Sequence, residues 1–109
     1  MRFHHYGLEV SNMEESIRFY KKYLGFKEES RMFFGDEEIG FLRMGDFRLE
    51  LFTGIDQTAH ICFEVNHLEV VMKRFCDWRK IEGPYELQNG WQSVFYEGPD
   101  GEIIEFLQL

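Results

Sequence analysis

His5-Tyr6-Gly7-Leu8-Glu9-Val10 and His60-Ile61-Cys62-Phe63-Glu64-Val65 are two versions of one segment, 55 residues apart. His, Glu and Val coincide, and the apolar positions between them alternate in the same phase. At the same offset Ser11 falls on Asn66, Glu14 on Glu69, and Met13, Ile17 and Tyr20 on Leu68, Met72 and Phe75. Near the far ends, Glu50-Leu51-Phe52 falls on Glu105-Phe106-Leu107, with no net gap between. A repeat of this length marks a chain built from two copies of one supersecondary unit.

Each copy reads as βαβββ. His5 to Val10 and His60 to Val65 alternate as strands do. Ser11-Asn12-Met13-Glu14 has the pattern of a capping box, and Asn66-His67-Leu68-Glu69 is its weaker echo. Met13, Ile17, Tyr20 and Leu24 recur at helical spacing before Gly25, a natural stop. Leu68, Met72 and Phe75 play the same part before Gly83-Pro84, read as a breaker. Three short strands then complete each unit. They are expected near 27–34, 38–44 and 47–53, with turns at Gly35-Asp36 and Gly45-Asp46. In the second copy they are expected near 84–88, 91–97 and 102–108, with turns at Asn89-Gly90 and Pro99-Asp100-Gly101. The expectation is an α+β fold: one domain, residues 1–109, of two tandem βαβββ units (1–54 and 55–109). Their strands form a curved mixed sheet, a cup with the helices on its convex side.

Alternation then sorts the side chains. Tyr6, Leu8 and Val10 should meet the helix, leaving His5, Gly7 and Glu9 on the opposite face. Ile61, Phe63 and Val65 do likewise, leaving His60, Cys62 and Glu64. Leu49 and Leu51 leave Arg48, Glu50 and Phe52 opposite, and Ile104 and Phe106 leave Ile103, Glu105 and Leu107. Four strands thus send a His or a Glu to the side away from the helices. A single His or Glu on a strand is ordinarily a solvated or satisfied group. The recurrence of the same pair in both copies is what points to ligation. His5, Glu50, His60 and Glu105 offer two imidazoles and two carboxylates, a donor set for a divalent ion such as Ni, Co, Zn, Mn or Fe(II). In an octahedral shell they leave two adjacent positions for water or substrate oxygens.

Composition narrows the partners. Hydrophobic residues make up 44% and aromatics 17%, a globular balance. Twenty acidic against 12 basic residues give a net charge of −8, and residues 81–109 hold no Lys or Arg. Such a chain repels phosphate backbones, which argues against nucleic acid. No apolar run is long enough to span a membrane, and Met1-Arg2-Phe3-His4-His5 does not open a signal peptide. Cys62 and Cys76 form no disulfide framework and no metal-type pair, so a reduced, cytoplasmic protein is expected.

The residues together resemble a known group. His5-x4-Val10 running on through Ser11 to Tyr20, Tyr23-Leu24-Gly25-Phe26, His60-x4-Val65 and Gly98-Pro99-Asp100-Gly101-Glu102-Ile103-Ile104-Glu105 are similar to the vicinal oxygen chelate superfamily. This is the glyoxalase I, fosfomycin-resistance, bleomycin-binding and extradiol dioxygenase group, and the resemblance covers the whole chain. It implies a metal in the cup, held by His5, Glu50, His60 and Glu105, and Lewis-acid chemistry on a small substrate with neighbouring oxygens. It implies proton transfer by a carboxylate, with Glu105 as the favoured base and Glu50 as its counterpart. The two-His, two-Glu set is closest to glyoxalase I and epimerase-like members. Bleomycin-binding members keep the cup and lose the ligands, and extradiol dioxygenases use one Glu. Glu9 stands where glyoxalase I carries an arginine that helps hold glutathione. The Leu51–Ala59 segment is also shorter than the loop that serves that site, and both departures argue against glutathione.

The expected function is therefore a metal-dependent isomerase, lyase or epimerase. A drug- or metabolite-binding protein of the bleomycin-resistance type and an extradiol dioxygenase-like enzyme are the alternatives. Arg48, Phe52, Cys62 and Trp91 are candidate substrate contacts. Cys62 would be a small pocket-lining residue, and Arg48 would hold a substrate carboxylate or pair with Glu9 or Glu64. His4 is placed on the helix side as a satisfied structural histidine, and His67 at the surface where the second helix starts. A homodimer is expected, with the donor pairs meeting within one chain or across two.

Overall fold

Two short runs of apolar residues, one per repeat, organise the structure, a computed structural model describing residues 1–109. In chain order the elements are β1 (Arg2–Val10), α1 (Met13–Leu24), β2 (Lys27–Phe34), β3 (Glu37–Met44), β4 (Phe47–Thr53), β5 (Ala59–Glu64), α2 (Leu68–Arg74), β6 (Lys80–Glu86), β7 (Gln92–Glu97) and β8 (Ile103–Gln108). The class is α+β, as the sequence indicates, and βαβββ occurs twice. The chain divides into two compact units. One is residues 5–59, and the other is residues 60–109 with residues 1–4.

In the first unit the strand order is β2-β3-β4-β1, with β1 parallel to β4 and the other pairs antiparallel. Met13 and Ile17 of α1 pack on Leu42, Leu49, Leu51 and Phe26, with Tyr6, Leu8, Val10 and Tyr20 around them. Of these, Tyr6, Leu8, Val10, Leu49 and Leu51 are the alternate residues of β1 and β4 that the pattern assigned to the helix side. Full burial of each such aliphatic side chain is worth about 1.5–3 kcal/mol. The helix lies close over β3 at Gly40, where a Cβ would stand 3.3 Å from the Met13 sulfur.

The second unit repeats the wiring: β5 is parallel to β8, and β8, β7 and β6 follow in antiparallel order. Its core is Val65, Leu68, Val71, Val94, Tyr96 and Phe106, with Phe63, Met72, Phe75 and Ile104 packed against it. The N-terminal residues join this unit. Arg2 is bonded to Glu64 at 2.7 Å, and Phe3 meets Phe63 edge-on at 6.5 Å.

Several local expectations shift. The cap of α1 is Asn12, not Ser11: its side-chain oxygen accepts the Glu15 amide at 3.0 Å. Gly25 ends the helix in the left-handed region, φ 80°, as read from sequence. At α2 the N-cap is His67, whose side chain caps nothing. Gln108 of β8 instead accepts the Leu68 amide at 2.8 Å. A distant strand thus replaces the missing local cap. Gly83-Pro84 does not break the chain between elements. It lies inside β6, at the end of the strand order, where proline is tolerated and the register shifts. Asn89-Gly90 is not a two-residue hairpin. The link runs from Leu87 to Trp91, whose carbonyl accepts the Leu87 amide, and only Gly90 of the pair has positive φ.

Candidate metal centre

The parallel pairing of the first and last strand in each unit sets up the site. In the first unit Gly7 of β1 stands opposite Glu50 of β4. His5, two residues before Gly7, shares its face, and the His5 Nε2 lies 3.6 Å from Glu50 Oε1. In the second unit Cys62 of β5 stands opposite Glu105 of β8, and His60 Nε2 lies 3.2 Å from Glu105 Oε1. The third strand closes each pair in the same way. Phe41 of β3 is opposite Glu50 and meets the His5 ring edge-on at 5.4 Å. Phe95 of β7 is opposite Glu105 and meets the His60 ring edge-on at 5.9 Å. All four His and Glu residues are buried. A carboxylate taken out of water is costly unless hydrogen-bonded, paired or ligating.

The two pairs fit a divalent ion. Donors about 2.1 Å from one ion lie about 3.0 Å apart at a right angle and about 3.4 Å apart at a tetrahedral angle. The observed separations of 3.2 and 3.6 Å fall close to that range. Each pair also has its donor atoms oriented by strands rather than loops. Imidazole nitrogen and carboxylate oxygen together suit a borderline ion such as Zn, Ni, Co or Fe(II).

One residue of the site was missed in the sequence. Ser93 of β7 is almost wholly buried, and its hydroxyl donates to Glu105 Oε2 at 2.6 Å. Register places Ser93 opposite Leu107 and Phe95 opposite Glu105, so the serine sits diagonally beside the carboxylate. The matching position in the first unit is Ile39, opposite Phe52 and next-but-one to Phe41. A small polar residue among the apolar residues of β7 was the available signal.

The other candidates are dispersed. Arg48 pairs with Glu29. Its Nε donates to Glu29 Oε1 at 2.9 Å, while Arg43 donates to Glu29 Oε2 at 2.6 Å. Burial alone would raise the Glu29 pKa, but the two guanidiniums outweigh it and hold the carboxyl below its usual range. Glu64 takes Arg2 instead. Phe52 lies on β4 opposite Ile39. Cys62 has no exposed surface, so its thiol is packed rather than lining an open pocket. Trp91 lies in the link before β7, its ring edge-on to His4 at 5.4 Å. His4 is buried, and a ring nitrogen lies within 4.8 Å of the Cys62 sulfur. It therefore joins Cys62 on the face away from α2, not the helix side that strict alternation assigned.

Glu9 has a structural task. Its Oε1 accepts the Thr58 hydroxyl at 2.7 Å and the Thr58 amide at 3.2 Å, and its Oε2 accepts the Asp56 amide at 3.3 Å. The Thr58 hydroxyl is the main reason that its pKa lies below the usual carboxylate value. The residue thus ties the segment after β4 back onto β1.

No helix is long and apolar enough to cross a membrane. Among solved structures, the hypothetical protein BH1468 of Bacillus halodurans C-125 superposes with a TM-score of 0.85 at 19% identity, over 99% of this chain and 94% of that one. Methylmalonyl-CoA epimerase from Mycobacterium tuberculosis gives 0.82 at 15% identity, over 98% and 87%. Both likenesses are of fold. In sequence, the uncharacterized protein YwbC of Bacillus subtilis (strain 168) is 30% identical over 98% of this chain and 97% of its own length. The description of one family covers residues 2–106, nearly the full set of strands and helices: the chain belongs to the Glyoxalase/Bleomycin resistance protein/Dioxygenase superfamily.

Proposed function

We propose that the protein is a metal-dependent isomerase or epimerase, acting by proton transfer on a small substrate with neighbouring oxygen atoms. The observation that carries this reading is the duplicated donor pair, His5 with Glu50 and His60 with Glu105, buried and spaced at 3.6 and 3.2 Å. In this reading the four side chains hold one divalent ion, supplied by one chain or by two copies in a homodimer. An ion held there supplies Lewis-acid polarisation of adjacent substrate oxygens. Glu105 takes a proton from a carbon next to those oxygens and returns it, with Glu50 as its counterpart on the other pair. Burial keeps water from competing for the proton, and the two phenylalanines hold the imidazoles edge-on. Arg48, Phe52 and Trp91 are the proposed flanking substrate contacts. Glutathione is not favoured, because Glu9 is committed to Thr58 and presents an anion rather than a cation.

Metal analysis and solvent exchange test this. The purified protein should carry or take up one divalent ion per donor set. With a panel of 2-substituted acyl thioesters, methylmalonyl-CoA included, and 2-hydroxycarbonyl compounds, it should catalyse uptake of deuterium from heavy water at the carbon beside the carbonyl. Ligand binding by persistently metal-free protein, with no exchange on any member of the panel, would leave a sequestering protein instead. Oxygen consumption with a catechol would transfer the reading to a dioxygenase.

A further inference from the structure

Ser93 adds a buried hydroxyl to the second donor pair. Its hydroxyl is 2.6 Å from Glu105 Oε2, while the other oxygen of that carboxylate, Oε1, is the one 3.2 Å from the His60 imidazole. One oxygen is therefore held from behind while the other faces the second donor. In the first unit the same place in the register is Ile39, which has no group to donate. We propose that Ser93 is a positioning residue. It fixes the Glu105 carboxylate so that Oε1 is the oxygen presented to the ion.

The physical argument is geometric. A glutamate has three side-chain torsions, and an unrestrained carboxylate can present either oxygen, or both. A hydroxyl donor on one oxygen removes that choice before the ion arrives, so the ordering cost is met by folding rather than by binding. Ser93 suits this because it is rigidly placed. It is almost wholly buried within β7, between Gln92 and Val94, with strand pairing on both sides. A bond from a strand-held hydroxyl restrains the carboxylate more firmly than a water could.

This inference rests on the proposed metal reading, and the experiment separates the two. Chelator-treated protein is titrated with Co(II), following the visible absorption of the bound ion. Ser93→Ala should bind Co(II) about 10–100-fold more weakly than wild type. Its visible spectrum should also change, because the carboxylate can now turn. Ser93→Thr, which keeps the hydroxyl, should restore both affinity and spectrum. If Ser93→Ala does not fold, as judged by circular dichroism, Ser93→Cys serves in its place: it nearly keeps the volume but donates poorly, and should also weaken binding. Wild-type affinity and an unchanged spectrum in the folded Ala or Cys variant would overturn the role of Ser93 while leaving the metal centre standing. Failure of wild type itself to bind Co(II) would overturn the metal reading, and this role with it.

Discussion

Glu9 on β1 accepts the Thr58 hydroxyl at 2.7 Å, so the last residues before β5 are fastened to the first strand of their own unit. Gly54 makes room for this: a Cβ there would overlap the Glu9 carboxylate. The bond favours the charged form, so the folded-state pKa lies below the usual 4.5. The unfolded chain then binds the proton more tightly, and the stabilisation is present above about pH 4.5 and is lost as pH falls through the lower folded value. Glu9→Gln should cost about 1 kcal/mol at neutral pH. The difference from wild type should narrow between neutral pH and a pH below that lower folded value. Urea unfolding at the two pH values measures it. An equal cost at both would mean that shape, and not charge, is what matters at this position. Gly54→Ala should produce a similar loss, and the double variant should lose less than the sum of the two.

Glu105→Gln should retain a ligand oxygen and lose the basic one. Proton exchange on an accepted substrate should fall by about 10²–10⁴-fold while metal content stays near wild type. Glu50→Gln should lower exchange less if Glu105 is the base. Deuterium uptake by mass spectrometry, with metal content measured on the same samples, gives the comparison. Equal losses in the two variants would assign the proton to both carboxylates together.

Asn12→Ala should destabilise the protein by about 1 kcal/mol, because it removes the acceptor for the Glu15 amide at the start of α1. His67→Ala, at the matching place before α2, should change little, since that side chain makes no cap bond. Gln108→Ala should behave like Asn12→Ala despite lying 40 residues away in the chain, because it caps Leu68. Thermal unfolding of the three variants ranks them. A large effect at His67 with none at Gln108 would contradict the capping described here.

Leu42→Ala should cost about 2–5 kcal/mol. Leu42 has no exposed surface and packs beneath α1 against Leu49 and Leu51. Phe33→Ala, on the exposed side of β2, should stay within about 0.5 kcal/mol of wild type. Denaturant midpoints decide between them, and a comparable loss at Phe33 would reveal packing that its exposure does not show.

Much of this molecule could be read from its sequence. The offset of 55 between His5 and His60, repeated between Glu50 and Glu105, disclosed two βαβββ units. Alternation then put the two His–Glu pairs on the faces away from the helices, where the structure has them. These features were legible because they depend on local rules, the period of a strand and the period of a helix. The caps were legible only to within a residue, since Ser11 and Asn12 are both good N-caps and local spacing does not choose between them. The partners of the polar side chains were not legible. Arg48 took Glu29, Glu64 took Arg2, Glu9 took Thr58 and Glu105 took Ser93, each across strands or distant segments. His4 left the face that alternation gave it and stands beside Trp91 and Cys62. Such pairings depend on strand register and side-chain reach, which are settled only when distant segments meet. The paired unit, and the His and Glu that recur in it, follow from local periodicity; that Ser93 meets the Glu105 carboxylate follows only from the register of β7 on β8.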